Sequence, residues 1–386
     1  MDLSLSGDQR LFADTARRFL KERWPIDEVR RLANDPSAMQ PASLAKDMVE
    51  LGWTALLLDD IDDIDDIDDG VSSSGPANLA IIAELCGAAL LSAPALSTGV
   101  VTYALLRAGT AGADRHEIVE ALIEGEQSAA WAVAEPGRWG ADAQSSTATP
   151  TDGGFLLNAQ KTPVQGALGA DHLLVSACAP DGLTQFLVAG NAEGVTLTTL
   201  ETLDPTRALY DIELTDVVVS RDAMVGESGK AEAEVEAQLA LAVALQCAET
   251  VGATQRALDI TLDYVKERKS FGRPIGSYQA LKHRLADMLL WLESAKAVTS
   301  AAVARVDGGT SGSRQASIAK AYVAEYCPRI VRDCLQLHGG IGFTWEHEIQ
   351  LYLRRVESDA VLLGSADYHC DRIAENTLFA AAEAKS

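Results

Sequence analysis

Two stretches of the sequence carry residues whose types and spacing suit phosphate chemistry. Arg268 stands where a helical pattern ends, just ahead of a Gly-x-Pro-x-Gly turn over residues 272–276. A guanidinium there offers a fixed fork of donors that matches a diphosphate. The same arginine also suits an ordinary surface ion pair with Glu267 or with a neighbouring helix. Gly339 and Gly340 follow a helical pattern that runs through Gln336. Without side chains they let a ligand or another backbone come close, although a helix C-cap uses glycine equally well. The chain as a whole repels phosphate: 32 basic residues face 56 acidic ones, for a net charge of −24. Nucleic acid and anionic membrane are therefore disfavoured partners, and an anionic ligand needs a local cation such as Arg268.

Metal and thiol chemistry find little support. Eight aspartates crowd the eleven positions from Asp59 to Asp69. An EF-hand loop needs oxygen ligands at alternate positions before its glycine, but Ile67 falls on one of them ahead of Gly70, and no glutamate follows at the required distance. A self-repelling solvated loop fits this run better. Cys86, Cys178, Cys247, Cys327, Cys334 and Cys370 form no CxxC pair and no zinc spacing, so no metal site is expected and a reducing compartment is. The first residues lack a basic segment followed by an apolar one. The most apolar stretch, Leu79–Leu96, contains Glu84 and Pro94 and does not suit a membrane span. The expectation is a cytoplasmic protein with no membrane contact.

The elements that must position these residues change character along the chain. A length of 386 residues with 47% hydrophobic content supplies core for two or three domains. From Ser6 to about residue 125 the pattern is helical. Ser6 and Gln9 make a capping box, with Phe12, Ala16, Phe19 and Leu20 recurring behind it. Leu44, Met48, Leu51 and Ala55 mark a second stripe, and Ala77–Leu91 is apolar nearly all round, as in a buried helix. Short Val-, Leu- and Thr-rich runs then alternate with Gly, Pro, Asp and Asn turns: Ser128–Ala134, Phe155–Asn158, His172–Ala177, Thr184–Ala189, Gly194–Leu200 and Leu209–Val219. Helices return over about 230–267, 277–307, 314–337 and 347–380, a number and length that suit a four-helix bundle. The expectation is an α+β chain: residues 1–125 all-α, 126–228 a small antiparallel β domain, and 229–386 a helical bundle.

Three phrases, in this order, carry a resemblance to a known family. They are WAVAEPGRWGAD at Trp131–Asp142, YVKERKSFGRPIGSYQALKHRLADM at Tyr264–Met288 and QLHGGIGFTWEHEIQLYLRR at Gln336–Arg355. Together with LDPTRALYDIELTDVVV late in the β segment, they resemble the acyl-CoA dehydrogenases, FAD enzymes that desaturate acyl-CoA thioesters between Cα and Cβ. The resemblance spans nearly the whole chain and implies the same α–β–α fold. It also implies that Arg268, Ser270, Phe271, Gln336, Gly339 and Gly340 reach across a subunit interface to the diphosphate and adenosine end of FAD.

The resemblance fails where the chemistry is done. The reaction takes a proton from Cα, so a carboxylate must lie within hydrogen-bond reach of that carbon. In most of the family it lies about two dozen residues past the first glycine of the GG pair, and Leu363 stands there. In some relatives it lies twenty-nine residues before the phenylalanine of the R-x-x-F-G phrase, and Ala242 stands there. Neither accepts a proton. Glu249, Glu357, Asp359 and Asp367 are the nearest carboxylates, each better read as a solvated or ion-paired helix residue, because one helical turn is a displacement of about 5 Å. Other departures fall on the same side. Ala134 replaces a threonine beside the flavin ring, Ala141 a serine near the thioester, Pro163 and Gln165 a tryptophan and a threonine against the ring, and Val243 an arginine near CoA.

The resemblance thus implies a subunit without a catalytic residue of its own, similar to one chain of the heteromeric acyl-CoA dehydrogenases of steroid side-chain catabolism. Such a chain shares FAD across a subunit interface with a base-containing relative in an α2β2 assembly. The acyl-CoA lies in the partner's site, and an electron-transferring flavoprotein is the acceptor. Two alternatives stay open: a homomeric flavin oxidase or monooxygenase on the same scaffold, and a non-catalytic scaffold subunit.

Overall fold

The computed structural model describes residues 5–35, 42–58, 74–92, 94–108, 113–141, 144–306 and 310–383. The aspartate run Asp59–Asp69 lies outside them. Helix α1 (Gly7–Arg23) begins where the capping box places it: Gln9 N donates to Ser6 Oγ, and Ser6 N donates to Gln9 Oε1, both at 3.1 Å. Helix α2 (Ile26–Asn34) was not legible in the apolar pattern. It starts behind Pro25 with Asp27 and Glu28 in its first turn, and it buries only Val29. Helix α3 (Ala42–Glu50) carries Leu44 and Met48, while Leu51 and Ala55 of the expected stripe fall in the turns beyond it, where Gly52 takes a φ of 74°. Helices α4 (Gly75–Ala88), α5 (Pro94–Ala108) and α6 (Ala113–Ile123) complete this part.

The middle of the chain forms one eight-stranded sheet: β1 (Ala129–Ala132), β2 (Thr147–Pro150), β3 (Gly154–Gln165), β4 (His172–Ala179), β5 (Gly182–Ala189), β6 (Val195–Thr199), β7 (Leu209–Ser220) and β8 (Met224–Val225). Its order is β6-β7-β3-β2-β4-β5-β8, with β1 added on β4. Most pairs are antiparallel, as expected, but β1 and β2 both run parallel to β4. Strand β2 is short, mostly exposed and ends in proline, so its sequence carried no alternation to read.

Helices α7 (Glu232–Glu267), α8 (Gln279–Val303), α9 (Thr310–His338), α10 (Ile349–Asp359) and α11 (Ala366–Glu383) follow, with a small hairpin of β9 (Lys269–Ser270) and β10 (Arg273–Pro274) between α7 and α8. The single helix expected over 347–380 is thus two. The chain breaks at Leu363 and Gly364, whose φ values of 58° and 105° no helix accommodates. Residues from the helices on both sides of the sheet share one contiguous apolar core, and the sheet contributes largely to a second. The contact between α4 and α7 is backbone against backbone. A Cβ at Gly87 would sit 1.9 Å from the Glu249 carbonyl oxygen, and one at Gly252 would sit 1.8 Å from that of Glu84. This close approach fixes the face of α7 that carries the candidate site. No helix among the described residues is long and apolar enough to cross a membrane.

Candidate functional site

A cleft opens where α5, α7, the sheet and the α10–α11 turn meet. Helix α7 lines it with Ala242, Leu245, Gln246 and Glu249, a single face at helical spacing. The sheet supplies Gln165 and Leu209, which are partners in the β3–β7 register, so the open end of that strand pair faces the cleft. Leu363 comes from the α10–α11 turn. Ala242 and Leu363, the two positions at which the resemblance places a base, therefore line one cleft, although 121 residues separate them in the chain, and both are hydrocarbon. Ala134, Pro163 and Gln165 line the same cleft; Ala141 and Val243 do not.

Buried polar contacts hold these walls. Lys161 Nζ donates to Glu135 Oε1 at 2.8 Å, and Thr162 N donates to the Ala134 carbonyl at 2.9 Å, joining the segments that carry Pro163 and Ala134. Burial alone would raise the Glu135 carboxyl, but donors from Lys161, Ser145 and Ser146 hold it at about 2. Burial brings Lys161 down to about 8. The Trp131 indole donates to Gln238 Oε1 at 2.9 Å, and Gln238 exchanges amide bonds with Gln185. Below Leu363, His369 Nε2 donates to the Leu363 carbonyl at 2.8 Å and leaves Nδ1 to accept from Ser317 Oγ at 3.1 Å. Burial pushes that imidazole down to about 3, which keeps it neutral.

A cluster of charges lies behind the α7 face. Glu249 Oε1 accepts from Arg207 at 2.7 Å and from Arg355 at 2.8 Å. Arg207 also faces Asp359 at 2.9 Å, Arg355 also donates to Asp204 and to Thr206 Oγ1, and Lys320 donates to the Asp359 carbonyl and to Gln246 Oε1. Three cations and three carboxylates are thereby taken out of water as a balanced set. Burial pushes Asp359 up to about 6 against the pull of Arg207, and brings Lys320 down to about 8. Burial also works against the Arg355 charge, but Asp204, Glu249 and Asp359 outweigh it and hold the guanidinium protonated.

Of the four alternative carboxylates, Glu249 alone is among the residues that line the cleft. Glu357 pairs with Arg332 on the surface, Asp359 belongs to the buried cluster, and Asp367 is exposed at the start of α11. Glu249 lines the cleft, but two turns along α7 from Ala242, about 10 Å away. Of this cluster, sequence reasoning singled out Glu249 and Asp359 alone. The one further signal was a carboxylate inside the apolar run of a long helix, which burial obliges to find a cation.

The other residues of interest gather at the far end of the bundle. Tyr264 stacks on His338 with ring centroids 4.4 Å apart and donates to its carbonyl at 3.3 Å, tying the last turns of α7 and α9 together. Arg268 caps α7 and is exposed, and among the described residues its guanidinium faces no carboxylate, Glu267 included. Ser270 is half-buried in the hairpin, and Phe271 at its tip is 95% exposed with a φ of 52°. Gln336 is exposed on the last turn of α9. A Cβ placed on Gly339 or Gly340 would meet nothing within 4 Å, so both face open space. Ile341, Phe343, Leu289 and Leu290 are exposed apolar residues on the same bundle.

Comparison with known proteins agrees with this architecture. Residues 234–378 match the family model described as acyl-CoA dehydrogenase, C-terminal domain. The chain is 29% identical to acyl-CoA dehydrogenase IpdE2 of Mycolicibacterium smegmatis, over 93% of this chain and 96% of that one. It has the fold of the acyl-CoA dehydrogenases, and its C-terminal part matches the C-terminal domain of that family. It is also 29% identical to a 3-(aryl)acrylate reductase of Clostridium sporogenes, over 89% of this chain and 92% of the relative. Among solved structures it is similar to a variant of the Tcur3481-Tcur3483 steroid ACAD, with 26% identity and a TM-score of 0.85 over 97% of this chain and 99% of that one. The ChsE4-ChsE5 complex of Mycobacterium tuberculosis shares the fold at 22% identity, with a TM-score of 0.84 over 98% of this chain and 99% of that one. On this fold, Ala242 and Leu363, the two positions at which the resemblance places a base, line one cleft.

Proposed function

We propose that the chain is an FAD-dependent acyl-CoA dehydrogenase subunit that lacks its own base and completes the FAD site of a related, base-containing partner. One observation carries this: Ala242 and Leu363 line the same cleft, and among the described residues the one carboxylate that lines it with them, Glu249, is two helical turns from Ala242 and bound by Arg207 and Arg355. The far end of the bundle supports it. Among the described residues Arg268 is an exposed cation that faces no carboxylate, in a chain of net charge −24, and Gly339 and Gly340 past the end of α9 leave room for a ligand.

When bound, FAD supplies the acceptor for the hydride that leaves Cβ. The residues of this chain would do the holding: Arg268 neutralises the diphosphate, Gly339 and Gly340 let it approach, and Ser270, Phe271 and Gln336 border it. The exposed apolar residues around them would be covered by the partner. The base, the acyl-CoA undergoing reaction and the flavin ring belong to the partner's side of an α2β2 assembly, with an electron-transferring flavoprotein as electron acceptor.

The test is co-expression with a base-containing relative. A charge-assisted hydrogen bond contributes about 1.5–3 kcal/mol, so Arg268→Ala should weaken FAD binding by about one to two orders of magnitude while the tetramer stays assembled. Unchanged FAD affinity in the assembled mutant refutes the proposal. The isolated chain should hold FAD weakly after gel filtration and should not desaturate any acyl-CoA with an artificial electron acceptor. A stoichiometrically yellow homomer with steady turnover would count against the subunit role.

A further inference from the structure

The cleft that lacks a base has a second polar feature. Along the cleft-facing side of α7, Gln246 and Glu249 follow Ala242 at four and seven residues, which places them about 6 and 10 Å further along the helix. Both side chains are more than nine-tenths buried. Each is clamped at one atom by a buried cation. Lys320, which can only donate, lies 2.6 Å from the Gln246 amide and so fixes that atom as Oε1, turning Nε2 the other way. Arg207 and Arg355 both donate to Glu249 Oε1. Gln246 Nε2 and Glu249 Oε2 form no hydrogen bond among the described residues, and neither is one of the fully enclosed polar atoms without a partner. Both atoms therefore keep some exposure, and both residues line the cleft.

The result is a donor and an acceptor one helical turn apart on the α7 wall of a mostly apolar cleft, whose other polar residues are Ser97, Gln165 and Arg207. The smallest organic group that accepts from an amide and donates to a carboxylate at the same time, through a single atom, is a hydroxyl. Its charge should be zero, because the cluster behind the wall is already balanced: Arg207, Lys320 and Arg355 against Asp204, Glu249 and Asp359. A further anion or cation there would be left uncompensated in a buried place. We infer that Gln246 and Glu249 form a hydroxyl-reading subsite, and that this cleft takes a largely apolar acyl ligand with a neutral hydroxyl beyond its Cβ, binding it without desaturating it. This rests on the proposed acyl-CoA dehydrogenase reading of the cleft and adds the class of ligand.

The experiment compares ω-hydroxydecanoyl-CoA with decanoyl-CoA by isothermal titration calorimetry on the full-length chain. The hydroxylated thioester should bind about tenfold more tightly, the worth of a hydrogen bond to a charged acceptor. Gln246→Leu and Glu249→Gln should each cut that preference to less than about threefold. Equal affinities, tighter binding of decanoyl-CoA, or no binding of either ligand overturns the inference. Glu249 also supports the fold, so if its variant does not fold, the wild-type ratio and Gln246→Leu decide by themselves. The preference is read without FAD and without turnover. It can fail while the Arg268→Ala result upholds the subunit role, and it can stand if that result goes the other way.

Discussion

Around the cleft, charges are buried, paired and balanced; at the end of the bundle where α7 and α9 finish, charged and apolar side chains stand exposed without partners. Arg355 and Arg268 are the same residue type in these two settings. Arg355 is wholly buried and donates to Asp204, Glu249 and Thr206, whereas Arg268 lies open beside an exposed phenylalanine. A buried guanidinium is held in place by its own chain. An exposed one without a carboxylate is free to meet a ligand or another subunit. The first region is complete within the single chain, and under the proposed subunit role the second is completed by a partner.

The comparison makes its largest claim about stability. Arg355→Ala leaves the buried Asp204 without its ion-pair partner and Glu249 with Arg207 alone, and should cost about 3–5 kcal/mol in urea unfolding, since breaking a buried pair exposes the full desolvation penalty of the remaining charge. A loss below about 1 kcal/mol would mean that the cleft wall does not depend on its charges.

A smaller effect is expected at Glu135, on the sheet side of the cleft. Its carboxyl sits at about 2 in the folded chain against an ordinary value of 4.5, so its contribution is fully present above 4.5 and is lost as pH falls towards about 2. Glu135→Gln should destabilise by about 2 kcal/mol at neutral pH, and the gap to wild type should close between pH 4.5 and 2. A gap of constant size across that window would show that the charge of Glu135 is not what matters.

The smallest effect belongs to the exposed end. Arg268→Ala should change unfolding free energy by less than about 0.5 kcal/mol, because an exposed side chain without a partner contributes nothing to its own fold. A change as large as that at Arg355 would erase the contrast between the two regions.

Much of the framework was legible from local signals. The capping box of Ser6 and Gln9 placed the start of α1, and the apolar run at Ala77–Leu91 marked the buried α4. The turn residues separated most of the strands. What escaped was local structure without a local signature: α2 with its single buried residue, β2 with its exposed pattern and proline, and the break at Leu363, where the backbone takes a conformation that leucine does not advertise.

By itself, the sequence determined which residue types stand at each position, and so that Ala242 and Leu363 offer no proton acceptor and that Arg268 stands at a helix end. Those properties are carried by one residue and its near neighbours. Only the tertiary structure decided which residues meet. Arg207 finds Glu249 across 42 residues and Arg355 finds Asp204 across 151, and no periodicity encodes such partners. The choice is made when helices close on the sheet and every buried charge must find its opposite. It fixed one atom each of Gln246 and Glu249 and left the other some exposure, on residues that line the cleft.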